Sequence, residues 1–206
     1  MGYAESAMTV LQQGAGARDE TVADLLATGI RRLNWGCGDY PEHGWINSDI
    51  KESPNVHVVR DIRYGLPLET GCIEYAASVH ALPEIHYWDQ VPTLRELRRV
   101  LQPEGVLRLV LPDLDKGIRA YLDEDHDYFL IPDQDARSIG GKFITQMLWY
   151  GWSRMLFTYD LVAEMLTEAG FSSVSRCSYR QTNSRFPGIT ELDSRERESL
   201  YAEAVK

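Results

Sequence analysis

Two glycines and two aspartates form the pattern in this chain whose residue types and spacing could bind a nucleotide-like ligand. The run Leu33-Asn34-Trp35 reads as a hydrophobic strand, and it leads directly into Gly36 and Gly38. Glycine tolerates the backbone angles of a tight turn and lets a ligand approach the backbone closely. Such a turn brings backbone N–H groups to a ligand at the carboxyl end of a sheet. Asp49 and Asp61 follow the next two apolar runs, so their carboxylates are expected at the ends of the second and third strands.

The spacing excludes two common nucleotide sites. A dinucleotide fingerprint requires a third glycine at position 41, where this chain has Pro41, and an acidic residue roughly 20 positions further on. Asp49 comes only 13 residues after Gly36. A phosphate-binding P-loop requires a Gly-Lys-Ser/Thr ending, which the glycine turn lacks. Neither a pyrophosphate nor a triphosphate is therefore favoured.

A ligand with a ribose, an adenine and an amino-acid end fits the pattern better. Asp49 can accept hydrogen bonds from both ribose hydroxyls. Asp61 can accept one from the exocyclic amine of the base, while the neighbouring Ile62 covers a flat ring. The glycine turn leaves room for the amino-acid end. These are the requirements of S-adenosylmethionine.

The elements that must position these residues alternate in type along the chain. Helical patterns occupy 21–28, 91–101 and 161–169, and the second is closed by the turn Pro103-Glu104-Gly105. Strands separated by helices predict a Rossmann-like, doubly wound α/β sheet of seven strands. The sheet is expected to be mostly parallel, with an antiparallel last strand and helices on both faces. The strand-like runs are 32–35, 45–50, 56–59, 75–79, 106–111, 173–176 and 200–205.

Several ordered motifs resemble those of class I S-adenosylmethionine-dependent methyltransferases. The run 34–38 and the run 44–49 are similar to the first two motifs, in a compact branch of the family whose first motif reads Leu-Asn-x-Gly-Cys-Gly. Asp61-Ile62 with Gly65-Leu66-Pro67-Leu68 resembles the third motif. The resemblance extends over about residues 30–112 and 157–206. The further motifs that carry it are 80–85, 94–108, 157–171 and 198–201.

The resemblance implies S-adenosylmethionine as the cofactor and assigns residues to it. It places the glycine turn at the methionine part, Asp49 at the ribose, Asp61 with Ile62 at the adenine, and His80 beside the sulfonium. Asn34 stands where many members carry an acidic residue that engages the methionine amino group. Only seven residues separate Gly38 from Ile46, which is too few for a full crossover helix. The implied cofactor-binding residues are Asn34, Gly36, Cys37, Gly38, Asp49, Ile50, Asp61, Ile62 and His80.

We expect residues 113–157 to form an aromatic-rich insertion after the fifth strand, and residues 1–20 to form a flexible arm or a short lid helix. Insertions at this place in such folds often form substrate lids. The candidate substrate contacts are Trp149, Tyr150, Trp152 and Tyr159. The candidate proton acceptors are His80, which has suitable chemistry near neutral pH, and Tyr150. His80 could equally only shape the pocket.

Composition restricts the remaining possibilities. The 206 residues carry a formal net charge of −10, which disfavours nucleic acid as a substrate. Three widely spaced cysteines predict neither a disulfide framework nor a metal site, and they fit a reducing, cytoplasmic location. No apolar run approaches the ~18 residues of a membrane span. We expect a single domain over 1–206 and a small-molecule substrate, whereas the sequence does not set the oligomeric state.

Three functions fit these features. The first is transfer of the methyl group of S-adenosylmethionine to a small-molecule acceptor by in-line displacement. The second keeps the fold and the cofactor but cyclises or cleaves the cofactor itself, releasing methylthioadenosine. The third is a non-catalytic binding subunit that retains the fold. The conjunction of Gly36, Gly38 and Asp49 favours the first two.

Overall fold

The computed structural model describes residues 21–206, in which seven strands form one sheet. The sheet order is β3-β2-β1-β4-β5-β7-β6, with β1 to β5 parallel and β7 antiparallel to both of its neighbours. The predicted seven-stranded sheet with an antiparallel last strand and helices around it is confirmed. The strands are β1 (Arg32–Trp35), β2 (Ile46–Asp49), β3 (Val58–Val59), β4 (Ile73–Val79), β5 (Leu101–Pro112), β6 (Ser173–Cys177) and β7 (Ser199–Val205).

Five α-helices accompany the sheet within the same residues. Thr21 is the N-cap of α1, and its side chain and that of Asp24 form a reciprocal capping box. α5 is followed by Gly170, whose φ of 95° is the left-handed conformation that glycine commonly adopts after a helix. The helices are α1 (Val22–Ala27), α2 (Tyr87–Val100), α3 (Leu114–Leu122), α4 (Ile139–Leu148) and α5 (Tyr159–Glu168). No helix within residues 21–206 is long and apolar enough to cross a membrane.

The junction between α2 and β5 differs from the prediction. Leu101 was expected on the apolar face of the helix, but it is already extended and pairs with Ile73. The next paired residue is Val106, which lies opposite Tyr75, so the predicted turn at 103–105 bulges out within β5. Leu101 is fully buried, and an apolar residue at this position fits both the apolar face of the helix and the start of the strand. Strand pairing therefore decides the conformation of this residue.

The main apolar core lies on one face of the sheet, where side chains of α1, α2 and α5 pack. Leucines from β5 meet leucines from α2 there, and each buried leucine stabilises the fold by roughly 1.5–3 kcal/mol. The short strands β1 and β2 point Leu33 and Ile46 into the same core. This layer fixes the carboxyl ends of the parallel strands.

The segment 178–198 covers the second face of the sheet. It contains a short 3-10 helix, Pro187–Thr190, whose Ile189 packs against Trp45 and Tyr75. Arg108 of β5 points to the same face and is fully buried. This segment brings its last residues to the carboxyl end of β5, where the Asp113 N–H donates to the Glu198 carbonyl at 2.9 Å.

The insertion 113–157 contains α3 and α4, which pack together above the carboxyl end of β5. Tyr121 stacks on Phe143 with ring centroids 5.4 Å apart. The chain returns over the sheet, where the Arg154 and Met155 N–H groups donate to the Pro83 carbonyl at 2.7 and 3.1 Å. Residues 149–154 are thereby held above the segment that follows β4. The arm predicted for residues 1–20 lies outside the described residues.

Candidate functional site

A cleft of about 590 Å³ opens at the carboxyl ends of the parallel strands. It runs in sheet order from Asp61 after β3, past Asp49 on β2 and His80 after β4, to Glu198 before β7. Neighbouring strands lie about 4.8 Å apart, so the five spacings from β3 to β7 give it a length of about 24 Å. We call the part near β2 and β3 the β2 end. We call the part formed by Gln146, Trp149, Arg195 and Glu198 the lid end.

The glycine turn lies between these ends, and its shape requires glycine at Gly36. Gly36 has a φ of 69°, and a Cβ there would lie 2.1 Å from the Cβ of Ala81. The turn therefore packs directly on the segment after β4. The N–H groups of Gly36 and Cys37 both donate to the Ser48 carbonyl, at 2.7 and 3.1 Å. Backbone bonds thus hold the turn against the end of β2.

Asp49 is oriented by two backbone N–H groups. Gly38 N–H donates to Oδ2 at 2.8 Å, and Lys51 N–H donates to Oδ1 at 2.9 Å. A carboxylate oxygen has two acceptor positions, so each oxygen of Asp49 retains one. Asp49, the residue predicted to bind the ribose, therefore lines the cleft with a fixed orientation and free acceptor positions. Ile50 lies beside it and is exposed.

Asp61 lines the cleft but is engaged by a neighbour. The Arg63 guanidinium donates to both of its oxygens, with Nη2 2.6 Å from Oδ2. This hydrogen-bonded pair holds the pKa of the Asp61 carboxyl below its ordinary value. An amine of a bound base would share Asp61 with Arg63. Ile62 is buried and forms part of the floor at this end.

Asn34 lies beneath the glycine turn and is absent from the cleft lining. Its Nδ2 donates to Asn47 Oδ1 at 3.0 Å. Asn47 in turn accepts from the Glu42 N–H and donates to the Glu42 carbonyl, both at 2.9 Å. This network holds the short loop that stands where a crossover helix would be. An acidic residue at 34 would place a charge against Asn47 Oδ1, which gives the amide at this position a structural reason.

Cys37 is buried in the turn. Burial and the nearby Asp49 charge raise the pKa of its thiol to about 11. The thiol is therefore protonated at neutral pH, which fits a packing residue and not a nucleophile. Within residues 21–206, no cluster of three or more histidine, cysteine or acidic side chains is arranged to hold a metal ion.

His80 lines the cleft, but its ring is committed to a neighbour. Its Nε2 lies 2.9 Å from Ser199 Oγ. Burial, with a contribution from the Arg195 charge, lowers the pKa of His80 to about 3. The imidazole is therefore neutral near pH 7 and a weak proton acceptor. The residue also adopts a φ of 57°, which turns the chain sharply after β4.

The predicted aromatic contacts separate into two groups. Trp149 and Trp152 line the cleft, whereas Tyr150 and Tyr159 do not. The Tyr150 hydroxyl donates to Asp135 Oδ2 at 2.6 Å, and this bond raises the pKa of Tyr150. Tyr159 lies under the guanidinium of Arg176, 5.6 Å from its ring centroid. The structure therefore directs both tyrosines to other partners.

The cleft also contains polar residues that the sequence reasoning did not identify. Glu84 lies after β4, and burial together with the Asp49 charge raises the pKa of its carboxyl. Gln146, Arg195 and Glu198 form the lid end with Trp149. Glu198 opens a run already similar to a family motif, and a polar residue directly before a buried strand was the available signal. Gln146 is one of several polar positions in α4, with Lys142 and Thr145, and nothing in the sequence separates it from a surface residue.

The sequence matches no family model, and no curated protein matches it significantly. Its fold is similar to those of solved S-adenosylmethionine-dependent methyltransferases. One from Thermotoga maritima, described as a possible histamine N-methyltransferase, has a TM-score of 0.52 at 16% identity, over 91% of this chain and 90% of its own. One from Archaeoglobus fulgidus gives 0.52 at 13%, over 85% and 86%. One from Mesorhizobium loti gives 0.50 at 16%, over 85% and 90%. The chain therefore has the fold of this class of enzymes.

Proposed function

We propose that this chain is an S-adenosylmethionine-dependent methyltransferase that acts on a small-molecule acceptor. The observation that carries the proposal is the pairing of Asp49 with the glycine turn. Asp49 keeps one free acceptor position on each oxygen, and it lies beside the glycine turn, which also lines the cleft. A ribose diol and an adjoining extended arm are the groups that such a pairing fits.

The rest of the cleft supports a second ligand beside the cofactor. The whole cleft has a volume of about 590 Å³, which lies within the range of roughly 300–1,000 Å³ typical of ligand sites. The β2 end supplies the carboxylates and Ile62, while the lid end supplies Trp149 and a separate polar set. A small acceptor fits this division better than a macromolecule, because residues of the insertion between 146 and 154 line the cleft beside the strands. The acidic net charge of −10 agrees with that preference.

The bound cofactor would supply an activated methyl group on a positively charged sulfur. The residues of the chain would supply position and exclusion of water. Asp49 would orient the ribose, Ile62 would lie against the base, and the glycine turn would hold the amino-acid arm. Trp149 and Trp152 would close the opposite side. Alignment of two bound reactants is the main source of the rate enhancement in such a reaction.

The cysteines also fit the location that we expect for this protein. All three are free thiols, namely Cys37, Cys72 and Cys177, and free thiols fit the reducing cytoplasm.

Calorimetry and product analysis test the proposal together. We expect S-adenosylmethionine and S-adenosylhomocysteine to bind the purified chain with one site. Incubation with S-adenosylmethionine and a panel of small nucleophiles should release S-adenosylhomocysteine only when an acceptor is present. Methylthioadenosine released without any acceptor would instead support cofactor cyclisation or cleavage. Absence of binding to either cofactor form would overturn the proposal and favour a non-catalytic subunit.

A further inference from the structure

The four residues of the lid end form one connected corner of the cleft. Trp149 follows Gln146 by about one helical turn. The Arg195 guanidinium lies over the Trp149 ring, 5.6 Å from its centroid. Arg195 Nη1 also donates to Glu198 Oε1 at 3.2 Å. A continuous set of contacts therefore brings the insertion, the segment 178–198 and the start of β7 to the same place.

Gln146 brings an unused hydrogen-bond donor to this corner. The residue is only 3% exposed, and its Oε1 accepts from the Leu130 N–H at 2.6 Å. That bond fixes the amide orientation, because a flipped amide would place NH₂ against N–H. Its Nε2 has no hydrogen-bond partner within residues 21–206. A buried donor without a partner is costly, so a ligand that accepts from it gains affinity.

Glu198 brings an unused acceptor to the same corner. The residue is only 5% exposed, and Arg195 engages Oε1 alone. No residue of the described part of the chain donates to Oε2. The Arg195 guanidinium supplies a counter-charge beside this carboxylate. The corner therefore offers one acceptor and one donor beside the ring of Trp149.

We propose that this corner binds the methyl acceptor, and that the acceptor is a planar aromatic ring whose reacting edge carries an N–H or O–H beside a lone pair. The N–H or O–H donates to Glu198 Oε2, and the lone pair accepts from Gln146 Nε2. The ring lies against Trp149, where a flat apolar surface favours aromatic ligands. This inference rests on the proposed methyltransferase function and names its substrate class.

The same contacts assign Glu198 as the proton acceptor of the reaction. The electron pair of the acceptor nitrogen or oxygen forms the bond to the methyl carbon. The methyl–sulfur bond breaks with its electrons going to sulfur, which leaves neutral S-adenosylhomocysteine. The proton of the acceptor passes to Glu198 Oε2. One positive and one negative charge are thereby neutralised, and no other reactant is required. His80, which is neutral and bonded to Ser199, needs no proton-transfer role.

Binding of matched probe pairs tests the inference without requiring turnover. The full chain, saturated with S-adenosylhomocysteine, is titrated with imidazole and 1-methylimidazole, and separately with catechol and 1,2-dimethoxybenzene, by ligand-observed NMR. In at least one pair, the member with the free N–H or O–H should bind about 10-fold more tightly than its methylated partner. The pair that discriminates identifies nitrogen or oxygen as the reacting atom.

Three variants locate the preference. In Glu198→Gln, Arg195 would retain the amide oxygen and the NH₂ would face the ligand, so the preference should fall below about 2-fold. Gln146→Glu keeps the bond from Leu130 but replaces the donor by an acceptor, so both members of the pair should weaken. Glu196→Gln changes an exposed carboxylate two residues away that does not line the cleft, and it should retain the preference.

Three results would overturn the inference. They are equal binding of the two members in both pairs, no detectable binding of any probe, and a preference that survives in Glu198→Gln. Failure of the proposed function is read separately, as failure of S-adenosylhomocysteine to bind in the calorimeter. In that case both proposals are overturned, whereas normal cofactor binding without probe preference overturns only this one.

Discussion

Asp49 combines a fixed orientation with free acceptor positions, and both properties come from its neighbours. The two N–H donors at Gly38 and Lys51 belong to the turns on either side of it. They hold the carboxylate in place before any ligand arrives, which reduces the entropy lost on binding. Asp61 has a different balance, because Arg63 already occupies it. The two carboxylates at the β2 end therefore differ in how readily they can accept hydrogen bonds from a ligand.

Asp49→Ala should weaken binding of S-adenosylhomocysteine by about 1–3 kcal/mol, because the ribose hydroxyls would be left without partners. Asp49→Asn should show a smaller loss, since the amide retains one acceptor oxygen. Calorimetry measures both variants against Glu52→Gln, an exposed carboxylate nearby that does not line the cleft. Equal affinity of Asp49→Ala and the native chain would remove Asp49 from the ribose site.

His80 makes stability depend on pH in a defined direction. Its folded-state pKa of about 3 lies below the ordinary value of 6.5, so the unfolded chain binds a proton that the folded chain does not. The stabilisation is complete above about pH 6.5 and is lost as the pH falls towards 3. Asparagine tolerates the positive φ at this position. In His80→Asn, the fall in the free energy of unfolding from pH 7 to pH 5 should therefore be smaller than in the native chain, by about 1–2 kcal/mol. Urea unfolding at both pH values measures this.

The exposed His43 provides the control for that measurement. His43→Gln should leave the difference between pH 7 and pH 5 unchanged. A His80→Asn variant with the native pH dependence would show that His80 titrates near its ordinary value. The role of His80 as a base in the reaction would then regain its basis.

The glycine turn shows at the level of elements what the sequence could and could not predict. Strand β1, the turn and Asp49 follow from local pattern, because a strand, two glycines and a carboxylate have few alternative arrangements. The contact that requires glycine, between Gly36 and Ala81, joins residues 45 positions apart and is invisible in either run alone. The role of Asn34 beneath the turn is equally non-local, because its partner Asn47 lies on the next strand.

Gly36→Ala should destabilise the chain by about 2–5 kcal/mol, because it combines a positive φ with a Cβ only 2.1 Å from the Cβ of Ala81. Binding of S-adenosylhomocysteine should be lost with it. The double variant Gly36→Ala with Ala81→Gly removes the clash but keeps the backbone strain. Thermal unfolding and calorimetry should therefore show partial recovery. Equal stability of the single and double variants would show that Ala81 does not press on the turn.

At the scale of the whole molecule, the two faces of the sheet are stabilised by different kinds of interaction. One face buries leucines against helices, which a periodic pattern predicts well. The other is covered by the segment 178–198, whose polar sequence gave no sign that it would cover the sheet. Arg108 is a charged residue in the middle of an apolar strand pattern, and this is the feature of the sequence that indicates a polar contact on the second face. Its partners lie about 70 to 95 positions away, so the sequence alone could not pair them.

Arg108 holds the second face together and, through it, the lid end of the cleft. All five of its N–H groups have acceptors: Asp193 accepts two of them at 2.6 and 2.7 Å, Glu203 accepts one at 2.7 Å, and the Ser178 and Gln181 carbonyls accept the others. Asp193 lies two residues before Arg195 in the same segment. The ion pairs therefore fix the backbone that carries Arg195 and Glu198.

Arg108→Met should destabilise the chain by about 3–5 kcal/mol, because it leaves two buried carboxylates without a counter-charge. Arg108→Lys should also be destabilised, since three donors on one nitrogen cannot replace a planar set of five. Arg185→Met changes an exposed arginine of the same segment and should behave like the native chain. Adding Asp193→Asn and Glu203→Gln to Arg108→Met should recover part of the loss in urea unfolding, because the stranded charges are then removed. If Arg108→Met alone has the same midpoint of urea unfolding as the native chain, the second face does not depend on this ion-pair network.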